Sequence, residues 1–297
     1  MEFSDYIWGL YKNSKKGQST IKEFGIAIGE GREYELFQKY CPYEAKFSNK
    51  ETFLDIAETF WCYGVAEFEK PKTLEQAYTN YIDLISYPII EGREIIIPAE
   101  DYKMMLAANI TISLLLYHFA PEFYFPNFFK FNAKTLNKIL DTFNIELPKL
   151  PKKSDYKGRC LYYWHLCVAF KEFREKHNLN PSEMCAFLYD FSPSLLIEKE
   201  IEIPKSTQAW FIGGKTNEIE AGTSHLFWQA NPKTKKGDIL IHYEKTPVSA
   251  INSIWIAQTD GIIDPFFHYY SNTYIINRIE IPPISIHQLK EDLYFKD

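Results

Sequence analysis

Apolar residues recur at helical spacing through the first two hundred positions of the chain. Leu54, Ala57 and Trp61 follow one another at steps of three and four residues, and Ala77 and Tyr81 continue the same period. This spacing places apolar side chains on one face of a helix. The N-terminal part is therefore predicted to consist mainly of helices that pack on one face.

Residues that start and stop helices mark three further helices. Proline suits the first turn of a helix. An Asn cap followed three residues later by Glu can form a capping box, so Asn180 and Glu183 mark a helix start. The predicted helices cover residues 98–120, 156–177 and 184–191.

The pattern changes near residue 200, where β-branched and aromatic residues occur in short runs separated by glycines. Such runs predict strands, here at 209–213, 238–243, 250–257 and 273–280, and Ser285 can cap a closing helix over 285–292. We place the domain boundary within 198–205, which gives a helical domain of unknown role over 1–200 and a sheet domain over 201–297. The predicted fold class is α+β.

Length and composition agree with a globular protein of two domains. The chain has 297 residues, of which 46% are hydrophobic and 24% charged, and a single large domain is the alternative. Aromatic residues make up 17% of the chain, enough to fill a core and leave rings for stacking surfaces.

Charge and cysteine usage narrow the classes of function. A net charge of −6 argues against a protein that coats nucleic acid through net charge, so any such binding must be local. The five cysteines form no CxxC pair and predict reduced thiols in a cytoplasmic protein. Met1–Asp5 shows no signal-peptide pattern, and the apolar run 104–120 is short and interrupted by polar residues, so we expect a buried helix and no membrane contact.

The C-terminal third carries an ordered series of weak signals. In order they are residues 213–217, Trp228, residues 236–238, residues 251–258, and a proline-containing segment at 281–284 before residues 289–290. This order resembles the PUA-like superfamily, especially its EVE and YTH branches. The resemblance implies a small mixed β-barrel with a helical stretch that bears a ligand-facing aromatic. It also implies that a modified or extruded base is held between aromatic side chains.

Trp228 is the leading candidate for a base-binding wall. It has polar neighbours, so its ring offers a face for a base while Gln229 or Asn231 addresses the hydrogen-bonding edge. Lys215 and Asn217 follow the first strand and complete this side of the candidate pocket. The alternative is that Trp228 plugs the barrel.

A second wall is expected from the aromatic loop at residues 264–270. Phe266 and Tyr269 are its candidate pocket residues, and the alternative is that these rings pack against the N-terminal domain. Tyr243 ends a strand near the same rim and is either a ligand contact or a barrel cap. The known modules of this type have no such loop, which leaves the identity of the ligand open.

Charged and structural residues surround this candidate pocket. Lys233, Lys235 and Lys236 suit contacts to the phosphates that flank a flipped nucleotide, although lysine runs are usually solvated surface. Gly237 suits a turn with positive φ, and Asp238 can bind a nearby backbone amide. Trp210 and Trp255 lie in strand patterns and are predicted to be core residues.

No catalytic centre is apparent. The sequence has no Walker loop, GxGxxG, GxSxG or HExxH motif. Cys160 and Cys167 lie about two turns apart on one helix, and His165 falls off their face, which favours buried thiols over a metal site. We therefore expect no catalytic residues, metal or cofactor.

The leading hypothesis is a protein that binds DNA or RNA carrying a modified base. The resemblance further implies a role in microbial restriction or in RNA regulation, by analogy alone. One alternative is a protein–protein interaction adaptor that docks a partner through residues 266–270. Another is an enzyme with its site between the domains.

Overall fold

The computed structural model describes residues 2–26, 31–46, 48–62, 64–86, 89–90, 93–94, 102–196, 203–215, 218–219, 222–267 and 269–292. Two compact units emerge from the contacts between residues. The first contains Met1–Ile197 together with Pro265–His268, and the second contains Glu198–Asp264 and Tyr269–Asp297. Because the first unit is helical and the second contains the mixed sheet, the α+β prediction is confirmed.

The first unit is built mainly from helices. In chain order they are α1 (Asp5–Lys12), α2 (Lys15–Gly25), α3 (Arg32–Tyr40), α4 (Pro42–Ala45), α5 (Lys50–Cys62), α6 (Leu74–Ser86), α7 (Tyr102–Ala107), α8 (Asn109–Phe119), α9 (Ala133–Phe143), α10 (Tyr156–Lys176), α11 (Pro181–Ala186) and α12 (Ser192–Leu195). A 3₁₀ turn lies at Val65–Glu67, and the two-residue strands β1 (Ile89–Ile90) and β2 (Arg93–Glu94) pair with each other. Across the described residues, no helix is both long enough and apolar enough to cross a bilayer.

The helix predicted over 98–120 is broken in its described part. The chain forms α7 and α8 with a turn at Ala108, whose φ and ψ are −83° and 3°. At the break the carbonyl of Ala107 accepts a hydrogen bond from the Lys130 Nζ at 3.1 Å, a tertiary contact that the helical period cannot reveal. Residues 98–101 lie outside the described residues.

The helices predicted over 156–177 and 184–191 are present. Asp155 caps α10, and Asn180 and Glu183 form the predicted capping box of α11. The second helix differs in detail because Phe187–Phe191 adopt π-helical geometry before α12 continues.

The second unit is a mixed sheet. Its strands are β3 (Ala209–Gly214), β4 (His225–Gln229), β5 (Ile239–Glu244), β6 (Ala250–Ala257), β7 (Ile262–Ile263) and β8 (Ser271–Ser285), and α13 (Ile286–Glu291) follows with Ser285 as its cap. The order is β3-β5-β6-β8-β4, with β7 also on β8. The β3–β5 pair is parallel and the others are antiparallel.

Two expectations for this unit are wrong. The stretch that carries Trp228 is a strand paired with β8, not a helix. The strand order is open, so the described strands do not form a closed barrel. The two edge strands of this order, β3 and β4, nevertheless contact each other, because the Gln229 Nε2 in β4 donates to the Gly213 carbonyl in β3 at 2.5 Å.

A small apolar core supports the sheet. Trp255 is fully buried among Leu240 and Ile275, and Trp210 packs against this core, as predicted for both tryptophans. Buried Asp238 accepts from the Lys235 amide, and its Oδ2 also binds the Trp210 Nε1 at 2.9 Å. Gly237, with φ of +93°, forms the preceding turn, so both predicted structural roles are confirmed.

Candidate functional site

The polar end of this core is a crevice beside Gly214. A Cβ at Gly214 would lie 2.8 Å from the Trp228 Cζ2, 2.9 Å from the His242 Nε2 and 3.1 Å from the Glu218 Oε2. The three side chains come from β4, β5 and the turn after β3. We call these four residues the Gly214 crevice.

A β-bulge fixes the orientation of His242. The register between β5 and β6 shifts beside His242, so Asn252 has no partner in the ladder. The Asn252 Oδ1 lies 3.0 Å from the His242 Nδ1, and the Asn252 amide nitrogen donates to the Glu244 carboxylate. Because the Asn252 Oδ1 can only accept, the His242 Nδ1 carries the proton and Nε2 is left as an acceptor.

Burial keeps this imidazole neutral. His242 is 3% exposed, and desolvation lowers its pKa below the ordinary histidine value. The hydrogen bond to Asn252 and the charge of Glu244 oppose this shift. The Nε2 acceptor is therefore available at neutral pH.

The Gly214 crevice contains two polar atoms that the protein does not satisfy. The Trp228 Nε1 and the His242 Nε2 are both buried and have no hydrogen-bond partner among the residues that the structure describes. The rings meet edge to face, with centroids 5.9 Å apart. Buried polar groups are rarely left unpaired because each costs about 1–3 kcal/mol. An unsatisfied donor and an unsatisfied acceptor in the same cluster therefore mark a candidate ligand-binding site.

Three other residues of the predicted pocket lie near this crevice. The Lys215 amide donates to the Glu218 Oε2 at 2.6 Å. Burial raises the pKa of Tyr269, and the charge of Glu218 adds to this shift. Gln229 binds Gly213, the neighbour of Gly214. Since adjacent strand residues project from opposite faces, the strand geometry of β4 places the Gln229 side chain away from the Trp228 face. Asn217 lies outside the described residues.

Other predicted residues are engaged elsewhere. The Asn231 Oδ1 accepts from the Lys233 amide within a turn, so this oxygen serves the local backbone. Lys235 pairs with Asp260 at 3.0 Å, and both are exposed. The Lys236 amide also donates to Asp260, at 2.8 Å. These contacts hold the turn that contains Lys233, Lys235 and Lys236 against Asp260.

Two aromatic residues of the predicted pocket are not in the Gly214 crevice. Tyr243 follows His242 in β5 and so projects from the opposite face of the strand. Phe266 is 1% exposed and belongs to the core of the first unit, where it packs on Tyr162. Its burial matches the alternative reading of packing against the helical part, so we leave Phe266 out of the site.

Sequence reasoning missed His242, Asn252, Glu218 and Gly214. One signal was present, because His242 occupies an inward position of an apolar strand two residues after Leu240. The other three depend on a bulge and on a close approach between β3, β4 and β5 that only the folded sheet sets. Over the described part of the chain, no group of three or more His, Cys, Asp or Glu residues could hold a metal ion.

The Gly214 crevice combines a neutral acceptor, an indole donor and a glycine whose missing side chain lets the three other residues approach closely. Comparisons of the chain with protein-family models, with curated proteins and with solved structures find no match.

Proposed function

We propose that the second unit binds nucleic acid and reads a modified or flipped-out base at the Gly214 crevice. The observation that carries this proposal is the buried pair formed by the Trp228 Nε1 donor and the His242 Nε2 acceptor, neither of which has a partner. A base edge offers a donor and an acceptor on neighbouring atoms. Enzymes and readers that extrude a base use such groups together with aromatic contacts.

The chemistry of the pair favours bases with an exocyclic amino group. In adenine and cytosine an amino N–H lies next to an unprotonated ring nitrogen. The amino group can donate to the His242 Nε2 while the ring nitrogen accepts from the Trp228 Nε1. A single N-methyl group leaves one amino hydrogen in place, so this arrangement is compatible with methylated bases.

Glu218 lies next to the pair. Its carboxylate is beside Gly214 and accepts from the Lys215 amide. Lys233, Lys235 and Lys236 remain candidates for phosphate contacts, in which Lys235 would exchange Asp260 for a phosphate.

A PUA-like domain of EVE or YTH type is proposed from the order of sequence signals alone. The described sheet is mixed and contains the Gly237–Asp238 turn, but its strand order is open and Trp228 lies on a strand. A role in microbial restriction or RNA regulation is part of the same proposal and follows from analogy.

The test is fluorescence anisotropy with matched DNA and RNA oligonucleotides. These are unmodified or carry N6-methyladenine, methylcytosine or hydroxymethylcytosine. Trp228→Phe keeps an aromatic ring and removes the indole N–H together with the five-membered ring that carries it. We expect about tenfold weaker binding of the preferred oligonucleotide, with circular dichroism checking that the fold is retained. Phe211→Ala is the control, because Phe211 is a 57% exposed aromatic of the same unit that is not part of the crevice.

Equal affinity of wild type and Trp228→Phe for every oligonucleotide would contradict the proposed site. Affinity that does not fall as salt increases would contradict phosphate binding. The alternative of a protein–protein interaction adaptor loses part of its docking surface at residues 266–270, because Phe266 and Phe267 are only 1% and 6% exposed.

A further inference from the structure

The helical unit contains a cavity of about 600 Å³. Most of the side chains that line it are apolar, including Phe37, Phe53, Ile56 and Ile110. They come from α3, α5 and α8, and Phe37 and Phe53 stack with ring centroids 4.7 Å apart. Small-molecule sites typically occupy 300–1,000 Å³ and have apolar walls with few polar groups. The cavity has this volume, and nine of its sixteen lining residues are apolar. The seven polar ones include two carboxylates, Glu44 and Asp55.

The polar group of interest in the wall is Glu44 in α4. Its Oε1 binds the Lys130 Nζ at 2.6 Å, and Lys130 is 7% exposed. Its Oε2 is buried and, within the described part of the chain, has no hydrogen-bond partner. A carboxylate can accept about four hydrogen bonds, so Glu44 has acceptor capacity that the protein does not use.

The ion pair decides which ligand chemistry fits. Lys130 already compensates the charge of Glu44, and it is held in place by the Ala107 carbonyl at 3.1 Å. A cationic ligand on Glu44 would bring a second positive charge next to Lys130 at a partly buried site, which costs free energy. Asp55 is the other carboxylate of the lining, but it is exposed, so solvent screens its charge. A neutral hydrogen-bond donor would use the free oxygen without changing the charge balance.

We propose that this cavity binds a neutral, mainly hydrocarbon molecule that carries one hydroxyl donor, with the hydroxyl on the Glu44 carboxylate. The hydrocarbon part lies between Phe53 and Ile56 on one side and Ile110 on the other. Ile56 is 39% exposed and lies where the cavity meets solvent. This site belongs to the first unit and is independent of the proposed base-binding site.

The test uses dodecanol and dodecyl methyl ether, which share a hydrocarbon chain and differ in the hydroxyl hydrogen. Each displaces the fluorescent probe N-phenyl-1-naphthylamine from the full-length protein. We expect dodecanol to bind roughly tenfold tighter than the ether, because a hydrogen bond to a charged acceptor is among the stronger ones. In Glu44→Gln the amide oxygen faces Lys130 and a nitrogen replaces the free oxygen, so the preference for the alcohol should disappear.

A filling variant tests the cavity itself. Ala107 is exposed and lines the cavity, so Ala107→Phe adds a ring there without disturbing the core. We expect it to weaken probe binding at least tenfold. Ala66→Phe, an equal change at an exposed residue that is not among the lining residues, should leave binding unchanged. The proposal fails if the probe does not bind saturably, if Ala107→Phe binds it normally, or if wild type does not distinguish the alcohol from the ether.

Discussion

Gly213 and Gly214 allow a matched test of the Gly214 crevice. Gly214→Ala would place a methyl group 2.8 Å from the Trp228 Cζ2 and 2.9 Å from the His242 Nε2, and both side chains are held by the sheet. At Gly213 the nearest atom is the Lys245 Cε at 3.3 Å, the far end of a flexible side chain. The two substitutions are chemically identical and differ only in what the new methyl group meets.

The expected free energies follow from these contacts. Replacing Gly by Ala at a compatible position stabilises a protein by about 0.4–1 kcal/mol because the unfolded chain loses freedom. Overpacking a rigid site costs about 1–3 kcal/mol. Gly213→Ala should therefore be neutral or slightly stabilising, whereas Gly214→Ala should lower the free energy of unfolding by about 1 kcal/mol. The difference between the variants isolates the overpacking cost.

The assay is urea denaturation of both variants, with the m-value checked against wild type. Because both units contain tryptophan, hydrogen exchange of the β5 and β6 amides should be measured as well, to assign the loss to the second unit. If the two variants agree within about 0.3 kcal/mol, Gly214 is not tightly enclosed and the crevice described above does not exist.

Three further results are expected. Asp238→Ala should lower the free energy of unfolding in urea by about 3 kcal/mol, because several donors lose their buried carboxylate acceptor at once. The control Glu280→Ala, at a 67% exposed carboxylate, should cost under about 1 kcal/mol, and equal losses would refute this reasoning. Because the lowered pKa of His242 makes the native state bind fewer protons than the unfolded state, unfolding free energy should fall as pH drops below the ordinary histidine pKa. His242→Gln should flatten the pH dependence of the unfolding free energy between pH 7 and 5. An unchanged dependence would show that His242 does not cause it. Asn180→Ala should lower the melting temperature through a loss of about 1 kcal/mol, since it removes one half of the capping box with Glu183, and an unchanged melting temperature would contradict that role.

Local features of the chain could be predicted well. The capping boxes at Asn180 and Ser285, the turn at Gly237 and the strand over 250–257 all depend on residues that are close in sequence. Hydrophobic period and cap chemistry are local signals, so they are readable before any tertiary structure is known.

Features that depend on distant contacts could not be predicted. The helix break at Ala108 coincides with a hydrogen bond from Lys130, and the strand character of the Trp228 segment comes from pairing with β8. Trp228 and Gln229 were expected to share one pocket, but a strand sends neighbouring side chains to opposite faces.

By itself, the sequence determined the two-part α+β organisation, the main helices and strands, and Trp228 as the aromatic of interest. Only the tertiary structure decided which groups stand beside that ring. It brought His242, Gly214 and Glu218 to Trp228 from consecutive elements whose side chains meet only in the folded sheet. It also left one donor and one acceptor without partners there. Periodicity reports which residues are buried, whereas hydrogen-bond satisfaction depends on atoms that meet only when the chain has folded.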